Sequence, residues 1–184
     1  MNRPAQIADL DAQFHAISQR AAALVECAGA TRITLRPRHE AWSAAECLSH
    51  LVITAEAYLP VWRAAFQAAS ADSDTERPFR LDLWGRFFVW LLEPPARFRM
   101  PAPRAFEPVD AGPPERVLPA FLESQESLLA MLRQGAALPL DRIKIASPFN
   151  QRLHYNIWSS FCANASHHRR HLWQAERAAQ ALSV

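Results

Sequence analysis

Trp42-Ser43-Ala44-Ala45-Glu46-Cys47-Leu48-Ser49-His50-Leu51 carries a complete helix-start signal. Ser43 followed three residues later by Glu46 is a capping box: the hydroxyl accepts from the amide of residue 46 and the carboxylate reaches back to the amide of residue 43. Trp42 and Cys47 occupy the two hydrophobic-staple positions around that box. The predicted helix runs from Ala44 towards Ala69, with Pro60 kinking it or removing one backbone hydrogen bond.

On the N-terminal side, Leu10, Phe14, Ile17, Ala21, Leu24 and Ala28 recur at steps of three and four. That stripe marks a first amphipathic helix, stopped by Gly29 and followed by a loop containing Pro37. On the C-terminal side, 70–78 is a polar loop. Leu81 to Leu92 reads as a short, largely buried helix ended by Glu93-Pro94-Pro95. Residues 94–114 are proline-rich and aperiodic, a crossover rather than an element. Pro114 and Glu115 open a third long helix whose stripe is Leu118, Phe121, Leu122, Gln125, Leu128, Leu129 and Leu132, closed by Gly135. A second irregular loop with Pro139 and Pro148 leads to a last helix, Leu153 to Leu182. The expected fold is all-α: a four-helix bundle with a long crossover between helices 2 and 3 and a short extra helix, in one domain spanning 1–184.

Composition narrows the function. Half of the 184 residues are hydrophobic, about a fifth are charged and only four are glycine, a helix-favouring globular mixture. A net charge of +2 is too weakly basic to imply nucleic acid without a concentrated patch. Arg169-Arg170 is one basic pair on a helix that also carries Glu176 and Trp158, which is no extended stripe. Cys27, Cys47 and Cys162 are odd in number and lack C-x-x-C spacing, so they read as small buried hydrophobes in a reducing compartment. The N-terminus leads into an amphipathic segment rather than a signal peptide. Leu81 to Leu92 is interrupted by charges and too short to span a bilayer. The expectation is a cytoplasmic protein without membrane or nucleic-acid partners.

Seven histidines are present, and two stand out. His167 and His171 are four apart on a predicted helix, so their imidazoles lie about one turn apart on one face. Two neutral rings at that spacing can grip one metal ion. The same spacing also fits a solvated face beside Arg169 and Arg170. His168 points elsewhere, about 100° away. His50 is the best third ligand, on a face shared with Ser43, Glu46, Cys47, Thr54, Ala57 and Val61. The matching row on the last helix is Ser160, Asn164, His167, His171, Gln174 and Ala178, too polar to be explained by packing alone. Glu46, Asn164 and Gln174 are candidates to orient an imidazole or a substrate, although Glu46 reads first as a cap. His15, His39 and His154 lack such partners and read as surface or capping residues. On the last helix, Trp158, Leu172 and Trp173 lie off the histidine face, which suits a central position or a dimer contact.

These two segments together resemble a known family. Trp42 to Leu51 is similar to the W-[ST]-x-x-[EQ]-x-x-x-H-L start of the second helix in DinB/YfiT-like proteins. His167-His168-Arg169-Arg170-His171-Leu172-Trp173-Gln174 is similar to their last-helix H-x-x-x-H with a nearby Gln. The resemblance implies a four-helix bundle with one divalent ion, zinc or nickel, on His50, His167 and His171, often in a homodimer. Relatives include metal-dependent thiol transferases and a thiol-dependent isomerase, and many members have no assigned reaction; the resemblance favours a metal-dependent transferase acting on a low-molecular-weight thiol and a small-molecule electrophile. The family name refers to damage-inducible expression, not to DNA binding. The proline-rich 94–114 connector and the extra Leu81–Leu92 helix depart from the family pattern, so substrate identity does not carry over. From chemistry alone, three neutral histidines with an open position also suit a metal-dependent hydrolase, and a non-catalytic metal-binding bundle is the third possibility.

Overall fold

The computed structural model describes residues 1–98, 100–108 and 111–182; Arg99, Val109 and Asp110, inside the predicted crossover, lie outside the described residues. The elements are α1 (Arg3–Ala28), α2 (Ala30–Thr34), α3 (Ala44–Gln67), α4 (Leu83–Leu92), a 3-10 turn (Arg104–Phe106), α5 (Pro114–Gln134), β1 (Lys144–Ser147), β2 (Asn150–Asn156) and α6 (Ile157–Gln180).

The four long helices α1, α3, α5 and α6 form the predicted all-α bundle. α1 packs on α5 and α6, and α3 packs on the same two, so α1 and α3 sit across the bundle from one another. The crossover has a topological consequence. Gly135, just after α5, lies against Phe66 near the end of α3, so these neighbouring helices run parallel. A short hairpin loop could not join them that way, because it returns the chain antiparallel. In contrast, His50 faces His167 while Trp62 meets Ser160, which makes α3 and α6 antiparallel.

The α3 capping box forms as predicted: Glu46 N donates to Ser43 Oγ at 3.1 Å, and Ser43 N donates to the Glu46 carboxylate at 2.8 Å. The helix continues through Pro60. The core is aromatic and aliphatic, with Phe14, Trp62, Phe121, Phe161, Leu48, Leu51 and Leu128 buried. Trp62 stacks on Phe161 with ring centroids 4.1 Å apart. On α6, Leu172 and Trp158 are buried in this core, which suits the central position, while Trp173 is half-buried.

Four readings are corrected. First, α6 starts at Ile157 rather than Leu153. Residues 144–156 form an antiparallel hairpin, with Ile145 opposite Tyr155 and Ala146 opposite His154. Asn156 caps α6 by accepting from Ser159 N at 2.7 Å, and this cap places the helix start. Second, the loop after Gly29 contains the short helix α2, which buries Ile33. Third, Cys27 is exposed; Cys47 alone of the three is fully buried, and none is in a disulfide.

Fourth, α4 is not largely buried. Leu83, Trp84, Phe87 and Trp90 are exposed, and only Gly85 of this helix is buried. Its inner side lies so close to α6 that a Cβ added at Gly85 would stand 2.1 Å from Ser159 Oγ. Asp82 holds this contact, accepting from Gly85 N at 2.8 Å and from Asn156 N at 2.6 Å. No helix among the described residues is long and apolar enough to cross a membrane.

Candidate metal centre

Two turns after its cap, α3 turns His50 inwards, where it meets His167 and His171 from α6. The ligand-capable nitrogens of the three rings lie within 4.8 Å of one another. Ring centroids are 5.2 Å apart for His50–His167, 4.5 Å for His50–His171 and 4.6 Å for His167–His171. His50 Nδ1 lies 2.7 Å from the Phe106 carbonyl oxygen. A carbonyl only accepts, so Nδ1 carries the proton and Nε2 keeps its lone pair.

That lone pair faces His167 Nε2 at 3.3 Å. Two ring nitrogens about 2.0–2.1 Å from a tetrahedrally coordinated ion stand about 3.4 Å apart. The donor set and spacing therefore fit a metal ion.

Electrostatics keep these rings neutral. Burial pushes the pKa of all three histidines down; at His167 and His171 the other rings and the Arg170 charge add to burial, and both sit well below the ordinary value. His167 and His171 retain some accessible surface because they line a cavity of about 1190 Å³, while protein surrounds them elsewhere.

The predicted supporting residues divide. Glu46 does not orient an imidazole: its carboxylate is held by Ser43 N and by Arg36. Burial alone would raise its pKa, but the bonds from Arg36 and Ser43 outweigh this and hold it below the usual value. Asn164 is buried and lines the cavity, and its Oδ1 has no hydrogen-bond partner. Gln174 also lines the cavity, close enough to His171 to favour its charged form slightly. It does not satisfy His171 Nδ1, which is left without a partner.

The sequence profile of the DinB superfamily matches residues 13–175. The chain belongs to the DinB superfamily. Neither a curated protein nor a solved structure gives a match. Membership in the DinB superfamily and the three-histidine group together fit a metal-binding protein.

Around this DinB centre are groups that sequence reading did not place there. Trp42, read as a staple, lies against His50 and His171 with centroids 5.0 and 5.8 Å apart. The Phe106 carbonyl arrives from the crossover, and no side-chain pattern could announce it. Tyr58 and Tyr155, whose hydroxyls are 2.6 Å apart, join two elements at the cavity wall. One signal for Tyr155 was present: the alternation of 153–156 marks a strand, but the apolar pair Leu153 and Ile157 at helical spacing masked it.

The remaining histidines stay apart from the centre. His168 is buried between Phe14 and Phe121 and its Nδ1 accepts from the Gln125 amide at 2.9 Å. Burial pushes its pKa down to about 3. His15, His39 and His154 are exposed. Arg169 is paired with Glu93 and Gln13 and Arg170 is buried, so this pair does not face solvent as a basic stripe.

Proposed function

We propose that His50, His167 and His171 hold one divalent ion, zinc or nickel, and that the protein is a transferase joining a low-molecular-weight thiol to a small electrophile. The observation that supports this most is the convergence of three neutral imidazoles with two Nε2 atoms 3.3 Å apart. His50, His167 and His171 would hold the ion as neutral ligands, and its uncancelled charge would lower the pKa of a thiol towards neutrality. The sulfur electron pair forms a bond to the electrophilic carbon, the displaced group leaves with the bonding pair, and the thiol proton passes to water.

The chain's own residues prepare that site. Phe106 fixes the His50 tautomer, Trp42 packs against the His50 and His171 rings, and Asn164 lines the cavity beside them. A hydrolase is less favoured. The ligand cluster contains only histidines among the described residues, and Glu46 is held by Arg36 and Ser43 instead of standing free as a base. Thiol ionisation needs only the charge.

The reducing cytoplasm suits the proposed thiol chemistry and the unpaired cysteines. A homodimer is the proposed assembly, with the exposed apolar face of α4 as the surface that a second copy covers.

The test is thiol loss in the presence of a small alkylating electrophile, across several thiols, with and without metal. Metal-dependent loss is expected. Ester or amide hydrolysis without thiol loss would replace this reading with the hydrolase. No turnover at all, with metal removal lowering only the Tm, would leave a non-catalytic bundle.

A further inference from the structure

We infer that the ligand of this cavity carries a carboxylate or similar small anion, which Arg170 binds beside the histidine cluster. The inference rests on the reading of the cavity as the substrate site and names the substrate class.

Arg170 lies on α6 three residues after His167 and next to His171. It lines the same cavity and is only 7% exposed. Its Nη1 donates to the Leu91 carbonyl at 3.3 Å and its Nη2 to the Phe98 carbonyl. These neutral acceptors use two of five N–H donors and none of the charge. Among the described residues, no carboxylate stands within ion-pair distance of Arg170.

Two other enclosed arginines among the described residues are treated differently. Arg3, 1% exposed, is paired with Asp72 at 2.8 Å, and Arg169, the adjacent residue, is paired with Glu93 at 2.6 Å. A buried cation is costly without an anion, and at Arg170 the open side is the ligand cavity. A ligand carboxylate there forms charge-assisted bonds of the planar, forked kind that guanidinium favours.

Two further features agree. Arg38, Arg97 and Arg177 also line the cavity, against Glu40 and Glu107, so its field attracts anions. Asn164, 3% exposed and one turn before His167, lines the same cavity, and its Oδ1 has no hydrogen-bond partner among the described residues. It calls for an N–H or O–H donor on the same molecule. The chemistry described is a small acid with a neighbouring N–H or O–H, and with a thiol where it meets the ion.

The test uses two pairs of probes titrated calorimetrically into the zinc-loaded full-length chain: 3-mercaptopropionate against 3-mercaptopropanamide, and butyrate against butanamide. The acid thiol is expected to bind at least about tenfold tighter than its amide. Arg170→Gln should reduce that ratio to within about twofold, and Arg170→Lys, which keeps the charge, should retain part of it. The comparison on the unaltered chain needs no variant, so a Gln variant that fails to fold leaves the test intact.

Equal binding of acid and amide in both pairs, or no binding of any probe, overturns the inference. Thiols that bind without an acid preference leave the thiol reading standing alone. An Arg170-dependent preference for butyrate with no added gain from sulfur keeps the anion site and removes the thiol.

Discussion

His50 Nδ1 and the Phe106 carbonyl oxygen, 56 residues apart in the chain, lie 2.7 Å from each other. The contact ties the crossover to α3 and sets which nitrogen of His50 faces the other two rings. A backbone carbonyl thus does what a carboxylate does in many metal sites: it fixes ring orientation and tautomer.

Removing His50 should therefore remove the metal. Elemental analysis of untagged protein is expected to give about one ion per chain in the parent and a small fraction of that in His50→Ala, because one of three ligands is gone. Equal metal content in the two proteins would show that the ion, if any, sits elsewhere.

The metal-free protein should lose stability as pH falls. His50, His167, His168 and His171 all have folded-state pKa values below their unfolded ones, with His168 down to about 3. Below about pH 6.5 the unfolded chain binds protons that the folded chain refuses, so the stabilisation is complete above that pH and declines below it. Each group adds a slope of up to about 1.4 kcal/mol per pH unit, and the His168 share extends to about pH 3. Urea unfolding between pH 7.5 and 4.5 measures this slope; a flat profile would mean the rings are not held neutral.

Gly85 is set by the closeness of α4 to α6. Gly85→Ala would place its Cβ 2.1 Å from Ser159 Oγ and 2.4 Å from Ser159 Cβ, which overpacks the contact and should cost about 1–3 kcal/mol. Adding Ser159→Gly removes both clashing atoms and should recover part of the loss, despite the hydrogen bonds with Asp82 that go with it. A double-mutant cycle by denaturation reads the coupling.

Trp62 anchors the core on the side away from the histidines. It is fully buried, stacked on Phe161, and its indole N–H donates to Ser160 Oγ at 2.7 Å. Trp62→Ala should cost about 3–5 kcal/mol through the cavity it leaves. Trp62→Phe should cost far less, because Ser160 keeps its bond to the Ile157 carbonyl. Similar losses from the two changes would mean that the hydrogen bond, not the packing, dominates.

If a second copy covers α4, then Trp84→Glu with Trp90→Glu should break the pair. Sedimentation is expected to give twice the 20.7 kDa chain mass for the parent and the single mass for the variant. A monomeric parent would leave α4 for some other partner.

The four long helices and the three histidines were legible in the chain, although α2 and the true start of α6 were not. The capping box at Ser43–Glu46 and the stripes of α1, α3 and α5 are local patterns, and local patterns are set by hydrogen bonds and side-chain spacing within a few residues. The H-x-x-x-H pair was legible for the same reason, since its geometry is internal to one helix.

Tertiary structure alone decided what depends on distant neighbours. The hairpin at 144–156 wins over the helical spacing of Leu153 and Ile157 because its two strands pair and Asn156 caps α6. Trp42 became a wall of the histidine cluster because α6 passes beside it. Glu46 left the site because Arg36 captures its carboxylate. Arg169 and Arg170 are adjacent in the chain, but one meets Glu93 and the other, among the described residues, donates to two backbone carbonyls beside a cavity. A side chain's charge is written in its residue type, whereas its compensation depends on which atoms the fold brings within a few ångströms.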